Sequence, residues 1–292
     1  MDPAPLEAPW SHGHRRGDRR TDPPFQVRRV RPGDDTTFVA RQNKDLTYEA
    51  PFLHLLVGTE RALLLDTGAV ADPDRCSVRD LVDELLPSGL PLLVAHTHGH
   101  GDHVAGDAQL ADRPDTVVIG RDEAAAVAGW GFTAWPDEVV TLDLGGRPLA
   151  VTGIPGHHPT SVAVHDPHTR TLYTGDSAYP GRLYAADPAL FAASMERLAD
   201  FASSRPVDRV LGCHVELRRG GGDYPVGCTY QPDEAPFPLT SADLLRIRDG
   251  VRAAGGRPGV HDLGPAILWN GPCYPAVARQ LARLAYGWLR GR

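Results

Sequence analysis

Hydrophobic and polar positions alternate along this chain with short periods that predict strands and helices in turn. Apolar runs at residues 52–57 and 62–65 flank a polar turn, which is typical of two paired strands. Residues 77–86 have apolar side chains every three or four positions behind Ser77, a residue type that favours a helix start. The apolar run at residues 92–95 predicts a buried strand.

The same succession of elements continues toward the end of the chain. Further strands are predicted at residues 117–120, 139–142, 148–152, 161–165, 171–174, 207–211 and 266–269, and further helices at 122–128, 188–202, 241–251 and 275–290. This α/β alternation predicts two halves packed sheet against sheet with helices outside, an αββα sandwich. We expect residues 25–292 to form one such domain, because α/β folds of this length commonly build a single core.

The beginning of the chain has a different composition. Residues 1–24 are rich in proline, arginine and histidine, and no apolar block follows the arginines. This pattern lacks the hydrophobic part of a signal peptide and predicts a disordered tail. No run of about 18 apolar residues occurs anywhere in the chain, so we expect no membrane contact.

Composition and charge narrow the class of protein. The chain is 41% hydrophobic, and its formal net charge of -7 argues against a nucleic-acid partner. The four cysteines show no C-x-x-C spacing, which favours reduced thiols and a cytoplasmic location. We therefore expect a cytoplasmic enzyme with a small-molecule substrate, and the sequence leaves its oligomeric state open.

A dense set of ligating side chains follows the strand predicted before residue 96. Residues 96–103 read H-T-H-G-H-G-D-H. His98 and His100, two apart on an extended loop, can face one cation. Asp102 and His103 are adjacent at the expected start of a helix and can serve a second cation. The intervening glycines let the backbone turn tightly enough for these ligands to converge, so the sequence predicts a metal site with room for two ions.

Five short segments between residues 50 and 215 are more informative together, in their order along the chain, than any one of them alone. They are L-L-L-D-T-G at 63–68, H-x-H-x-D-H at 98–103, P-G-H at 155–157, T-G-D at 174–176 and G-C-H at 212–214. Together they resemble the metallo-β-lactamase-fold hydrolase superfamily. The resemblance implies an αββα sandwich with metal ligands at the loop ends along one edge.

The resemblance also implies seven metal ligands in two sets that share one carboxylate. The first set is His98, His100 and His157, the second is Asp102, His103 and His214, and Asp176 bridges both. Nitrogen and oxygen donors without thiolate favour two Zn²⁺ ions, with manganese or iron as alternatives. Asp66, in the D-T-G turn, is expected to orient the metal loop through hydrogen bonds; the alternative is a plain turn aspartate.

Two cations held in this way predict hydrolysis without a protein nucleophile. Water bridging two divalent ions loses its proton near neutral pH, and the hydroxide can attack the carbonyl of an ester, thioester or lactone. Asp102 and Asp176 are expected to neutralise the ions and to manage protons. Two alternatives are a mononuclear iron dioxygenase of persulfide-type substrates and a noncatalytic member with a structural metal. The complete ligand set favours the hydrolase.

Departures from known subfamilies narrow the choice further. Asp176 stands where some β-lactamases have a cysteine ligand, so that version of the enzyme is disfavoured. The seven ligands resemble those of glyoxalase II, but a glutathione-binding tail rich in lysine and arginine is not recognisable.

Three residues near the predicted ligands are candidates for substrate contact. Tyr179, three residues after Asp176, resembles the tyrosine of quorum-quenching lactonases that reaches the substrate carbonyl, and it is expected to stabilise an oxyanion. The alternative for Tyr179 is an aromatic packing residue. Tyr184 is a weaker candidate for the same role, and His158 is a candidate because it follows the predicted ligand His157.

The segment after the last predicted ligand, residues 216–238, is irregular and rich in glycine and proline. Long irregular segments beside a metal site are commonly lids, and residues 220–222 are three glycines that would suit a hinge. We predict a lid-like segment whose Tyr224, Tyr230 and Phe237 line a substrate pocket. The alternative is a surface excursion that caps the sandwich.

Overall fold

The computed structural model of the protein describes residues 3–15, 18 and 22–289. The strands are β1 (Ala4–Pro5), β2 (Phe25–Arg29), β3 (Thr37–Gln42), β4 (Phe52–Val57), β5 (Ala62–Leu65), β6 (Leu92–Ala95), β7 (Thr116–Val118), β8 (Val139–Asp143), β9 (Pro148–Gly153), β10 (Val162–Asp166), β11 (Thr171–Gly175), β12 (Arg182–Ala185), β13 (Arg209–Gly212), β14 (Gly259–Asp262) and β15 (Ile267–Asn270). The helices are α1 (Val78–Leu85), α2 (Gly101–Val104), α3 (Glu123–Trp130), α4 (Pro188–Ser203), α5 (Ser241–Ala254) and α6 (Tyr274–Leu289).

Two large sheets form the body of the protein. Strands β1 to β7 lie in sequence order in a seven-stranded sheet, and the second sheet has the order β13-β11-β10-β9-β8. Alternate residues of β4 point to opposite faces. Phe52 packs between the sheets with Val151 and Val164 of the second sheet, whereas Leu53 packs with Val78 of helix α1. Helices thus lie outside two apposed sheets, which confirms the predicted αββα sandwich.

Parallel pairing brings the ends of several strands to one edge of the sandwich. In the first sheet Leu65 pairs with Ala95, so the turn after β5 and the loop after β6 emerge side by side. In the second sheet Gly175 pairs with Gly212, so the residues after β11 and β13 emerge together in the same way. Four of the five segments predicted to carry chemistry contain or closely follow these four residues, and the fifth, residues 155–157, follows β9 of the second sheet.

Several elements were absent from the sequence-based prediction. These are the strands β1, β2 and β3, and the strands β12 and β14, which flank β15 in a third sheet of order β12-β15-β14. Strand β3 is fully buried although it contains Arg41 and Gln42. Buried polar side chains remove the apolar alternation that identifies a strand, and Arg41 is paired with Glu234 at 2.6 Å, far away in the chain.

The described part of the N-terminal segment is packed on the body of the protein, contrary to the expected disordered tail. Ala4 and Pro5 pair in parallel with Arg28 and Arg29 of β2, and Leu6 is buried. Trp10 packs edge-on against Phe52 and Phe237 at ring distances of 5.0 and 6.1 Å. The remaining residues of the predicted tail lie outside the described residues. Within the described part of the chain, no helix has both the length and the apolar content that crossing a bilayer requires.

Candidate metal centre

The loop between β6 and α2 is the core of the site, and Gly99 in this loop is required by close approaches. A side chain at Gly99 would place its Cβ 2.7 Å from the carbonyl oxygen of Arg121 and 3.0 Å from the imidazole of His158. Only glycine fits such a position without displacing backbone. The tight loop directs the side chains on either side of Gly99 toward the same point.

Three histidines converge to form a first cluster. The Nε2 atom of His98 lies 2.9 Å from Nδ1 of His100, and Nε2 of His157 lies 3.2 and 3.1 Å from these two atoms. His157 is oriented through its other nitrogen, Nδ1, which donates to the carbonyl oxygen of Tyr184 at 3.0 Å. Burial lowers the pKa of all three imidazoles. They are therefore neutral at pH 7, the form in which histidine binds a metal.

Two carboxylates and two histidines form a second cluster beside the first. Its members are Asp102, His103, Asp176 and His214, whose ligand atoms all lie within 4.8 Å of one another. His214 is held from behind by its Nδ1 atom, which donates to the carbonyl oxygen of Glu49 at 3.1 Å. Although burial works against protonation, Asp176 and Asp102 raise the pKa of His214. The cluster therefore attracts positive charge.

Asp176 lies between the two clusters. Its Oδ2 atom is 3.7 Å from Nε2 of His157 in the first cluster, and its Oδ1 atom is 3.6 Å from Nε2 of His103 in the second. Both Oδ1 of Asp176 and Nε2 of His103 are buried without a hydrogen-bond partner. Buried polar atoms are rarely left unsatisfied, and these two atoms are ligand types that a zinc-like cation accepts. The residues of each cluster could therefore hold a metal ion.

Asp66 makes the contact that its predicted orienting role requires. It lies in the D-T-G turn after β5 with a positive φ of 68°, and it is fully buried. Its carboxylate accepts hydrogen bonds from Nδ1 of His103 at 2.9 Å and from the backbone N–H of Thr97 at 2.7 Å. Against the effect of burial, the charge of His103 keeps the pKa of Asp66 below its usual value. Asp66 thus holds the ring of His103 with Nε2 facing Asp102 and Asp176.

The residues predicted to contact substrate have different surroundings. His158 borders the first cluster, with its ring centre 4.7 Å from that of His100, and its Nδ1 accepts from the backbone N–H of Thr160 at 3.2 Å. Tyr179 is buried, and its hydroxyl donates to the carbonyl oxygen of Arg182 at 2.5 Å. That hydrogen bond occupies the single proton of the phenol, which argues against its donation to a substrate oxygen. The catalytic role of Tyr179 stays a prediction.

Tyr184 has the free proton that Tyr179 lacks. Its hydroxyl oxygen accepts from Nε of Arg182 at 3.1 Å, and its main-chain carbonyl holds His157. Burial and the charge of Glu216 raise the pKa of Tyr184 to about 12. The phenol is therefore protonated at neutral pH, and its hydrogen has no acceptor among the hydrogen bonds of the described residues.

The three aromatic residues of the predicted lid are not brought together. Phe237 is stacked on Phe52 at a ring distance of 3.7 Å, inside the core between the sheets. Tyr224 is buried, and its hydroxyl accepts from the backbone N–H of Asp233 at 2.9 Å. Tyr230 lines a cavity of about 420 Å³ formed with residues 9–15, 18, 22 and 26, in which no residue of either cluster takes part.

Sequence reasoning missed the groups that orient the histidines from behind. The carbonyl oxygens of Glu49 and Tyr184 fix His214 and His157. Every residue carries a carbonyl oxygen, so no sequence signal distinguishes the ones that serve a site. Only the folded arrangement identifies these two.

Comparison with protein families and curated proteins shows which known proteins this chain resembles. The family model described as the metallo-beta-lactamase superfamily matches residues 52–214. The hydroxyacylglutathione hydrolase of Ruegeria pomeroyi is 31% identical over 202 residues, which cover 68% of this chain and 74% of that protein. The hydroxyacylglutathione hydrolase of Rhizobium meliloti is 32% identical over 137 residues, 45% of this chain, and the chain spans only about half of that relative, 53%.

Solved structures show the same fold at low sequence identity. The DIM-1 metallo-beta-lactamase aligns with a TM-score of 0.55 and 17% identity over 80% of this chain and 99% of that chain. A metallo-beta-lactamase from Erythrobacter litoralis aligns with a TM-score of 0.54 and 15% identity over the same shares of the two chains, 80% and 99%. A stereoselective inverting sec-alkylsulfatase from Pseudomonas sp. aligns with a TM-score of 0.53 and 14% identity over 80% of this chain and 42% of that chain.

Proposed function

This chain belongs to the metallo-beta-lactamase superfamily, and from that premise we propose that it is a dinuclear metal-dependent hydrolase of a small thioester, ester or lactone. One observation carries the proposal. The carboxylate of Asp176 lies between a cluster of three histidines and a second cluster with its own carboxylate and histidines. A one-metal site does not need this second set of ligands.

The ligand roles follow from the two clusters. His98, His100 and His157 would hold one ion, Asp102, His103 and His214 the other, and Asp176 both. We propose Zn²⁺ for both sites because the donors are imidazole nitrogens and carboxylate oxygens. When bound, two such ions supply a hydroxide at neutral pH and polarise a substrate carbonyl.

The chain's own residues prepare the site for hydrolysis. Asp66 fixes the ring of His103, and the carbonyl oxygens of Tyr184 and Glu49 fix His157 and His214. Asp102 is the more accessible carboxylate, with 24% of its side chain exposed against 9% for Asp176, so it is placed to exchange protons with solvent and leaving group.

We propose two substrate contacts beside the clusters. The phenol of Tyr184 keeps a hydrogen to donate to a substrate oxygen, because Arg182 supplies the hydrogen bond that its own oxygen accepts. His158 is half-buried next to His100, and with its Nδ1 accepting from Thr160 the ring proton lies on Nε2.

A thioester is the favoured substrate class among the three. Both relatives described above are named hydroxyacylglutathione hydrolases, and a hydroxyacylglutathione is a thioester. A cytoplasmic location is proposed because the cysteines of the described residues, at 76, 213, 228 and 273, are all free thiols. The net charge of -7 supports a small-molecule substrate over a nucleic acid.

Metal content tests the proposal. The protein is made without a polyhistidine tag and without added metal, metal per chain is measured by elemental mass spectrometry, and thioesters, esters and lactones of small acids are assayed. We expect about two zinc ions per chain and hydrolysis of a thioester. One iron per chain would instead favour the mononuclear iron dioxygenase, and protein without tightly bound metal would contradict the proposal.

A further inference from the structure

A buried arginine outside both clusters contacts residues that lie beside a histidine of each cluster. Arg182, at the start of β12, has 3% of its side chain exposed. Its side chain donates to the hydroxyl oxygen of Tyr184 at 3.1 Å, to Asp223 at 3.0 Å, to the carbonyl oxygen of Tyr224 at 2.7 Å and to Glu216. These contacts leave at most one guanidinium N–H for any ligand.

Glu216 binds the backbone of this arginine as well as its side chain. One oxygen of Glu216 accepts from the guanidinium, and the other accepts from the backbone N–H of Arg182 at 2.7 Å. The carbonyl oxygen of Arg182 accepts from the Tyr179 hydroxyl. Strand β12 is therefore fixed to the segment after β13 through both the main chain and the side chain of one residue.

The two sides of this ion pair lead to different clusters. Along β12, Tyr184 lies two residues after Arg182, and its carbonyl oxygen orients His157 of the first cluster. Along the other segment, Glu216 lies two residues after His214 of the second cluster. A path of hydrogen bonds and two-residue steps along the chain thus connects His157 to His214 without passing through Asp176.

We propose that Arg182 and Glu216 act together as a brace, two positioning residues that hold His157 and His214 at the separation which two metal ions need. The inference rests on the proposed two-metal function. Polar groups behind metal ligands commonly change metal affinity 10- to 100-fold when they are removed, and this pair supports ligands of both ions. The rival role for Arg182, capture of an anionic group of the substrate, conflicts with its burial and with the contacts that occupy its N–H groups.

The test compares Glu216→Gln with a matched break elsewhere in the fold. Arg147 and Asp166 form another buried ion pair, with an N–O distance of 2.6 Å and side chains 6% and 0% exposed. Asp166 ends β10, whereas Val162 at the start of that strand donates to the carbonyl oxygen of Thr97 in the metal loop, so Asp166 lies at the end of the strand remote from the clusters. Asp166→Asn removes a buried charge partner without touching the brace.

Retained metal is measured by elemental mass spectrometry across a chelator titration, and folding is followed by circular dichroism. We expect Glu216→Gln to lose metal at roughly 10-fold lower chelator concentration than the wild type, and Asp166→Asn to melt at a lower temperature with wild-type retention of metal. Folded Glu216→Gln protein with wild-type retention would overturn the proposal. Equal loss of metal in both variants would also overturn it, because the effect would then be general destabilisation.

Arg182→Lys keeps the inference testable if Glu216→Gln does not fold. Lysine retains the charge but cannot reach Glu216, Asp223 and Tyr184 at once, so we expect weaker metal retention than in the wild type. Wild-type retention together with a raised KM for anionic thioesters alone would assign Arg182 to substrate binding and refute the brace. A wild-type protein that holds two ions but hydrolyses none of the substrates would refute the proposed function, and the metal titration would still decide the role of the pair.

Discussion

The metal loop at residues 96–103, which runs into α2, and the irregular segment at residues 216–238 both follow strands that end at the site, yet they are organised by different interactions. The loop gathers its ligands by spacing within eight positions of the chain. The segment is anchored by buried charges whose partners are distant in sequence: Glu234 lies 2.6 Å from Arg41 and 3.4 Å from Lys44. Local spacing can be read from a sequence, whereas such long-range pairs cannot.

The anchoring changes the expected role of the segment. Arg41 and Lys44 are both 2% exposed, and breaking one partner of a buried pair typically costs about 3–5 kcal/mol. Asp223 adds contacts with Arg182 at 3.0 Å and with Arg283 of α6 at 2.6 Å. A segment fixed at several points is better suited to supporting the site than to opening and closing over it. The predicted lid is therefore the weaker of the two interpretations.

The largest expected effect lies on the metal-loop side of this comparison. Asp176→Ala removes the carboxylate that lies between both clusters, so we expect loss of most metal and nearly all turnover. Elemental mass spectrometry and kcat measure the two effects. Asp200→Ala, an exposed aspartate on α4, is the control. An Asp176→Ala protein that retains two ions and activity would refute the bridging assignment.

A smaller effect on metal retention is expected at Asp66, which contacts the predicted ligand His103. Asp66→Asn replaces one carboxylate oxygen by an NH2 group, which donates and cannot accept, so the side chain can no longer accept from both the backbone N–H of Thr97 and Nδ1 of His103. We expect metal retention to weaken by about 10- to 100-fold while the fold is preserved. A chelator titration measures the change, and Asp166→Asn again controls for the loss of a buried carboxylate. Unchanged retention would reduce Asp66 to a plain turn residue.

The same contrast explains how much of the molecule the sequence could predict. Strands such as β4 and β5 and the capped helix α1 follow regular apolar periods, and their predicted ranges are confirmed. Strand β3 was missed because Arg41 and Gln42 are buried in it, which breaks the apolar pattern. Strand β12 was missed because its buried arginine depends on Glu216 and Asp223, partners that no local pattern indicates.

The residues of the candidate site also differ in how far the sequence could predict their roles. The seven predicted ligands come together in two clusters because a short motif and four strand ends place them there. The residues proposed for substrate contact fared differently, since the spacing from Asp176 ranked Tyr179 above Tyr184, whereas the hydrogen bonds of the two phenols favour Tyr184. Hydrogen-bond direction depends on neighbours brought in by the fold, so sequence alone could not show which of the two phenols keeps a free proton.

The smallest functional effect is expected at Phe237, one of the three aromatic residues assigned to the predicted lid. Phe237 is 3% exposed and stacked on Phe52, so Phe237→Ala should lower stability by about 3–5 kcal/mol and leave KM unchanged at temperatures where the variant is folded. Tyr230→Ala, at a half-buried ring, should lower stability much less. Thermal melting and KM for the best thioester measure both variants. A raised KM in either folded variant would restore the lid interpretation, because a ring that only packs against the core has no route to affect substrate binding.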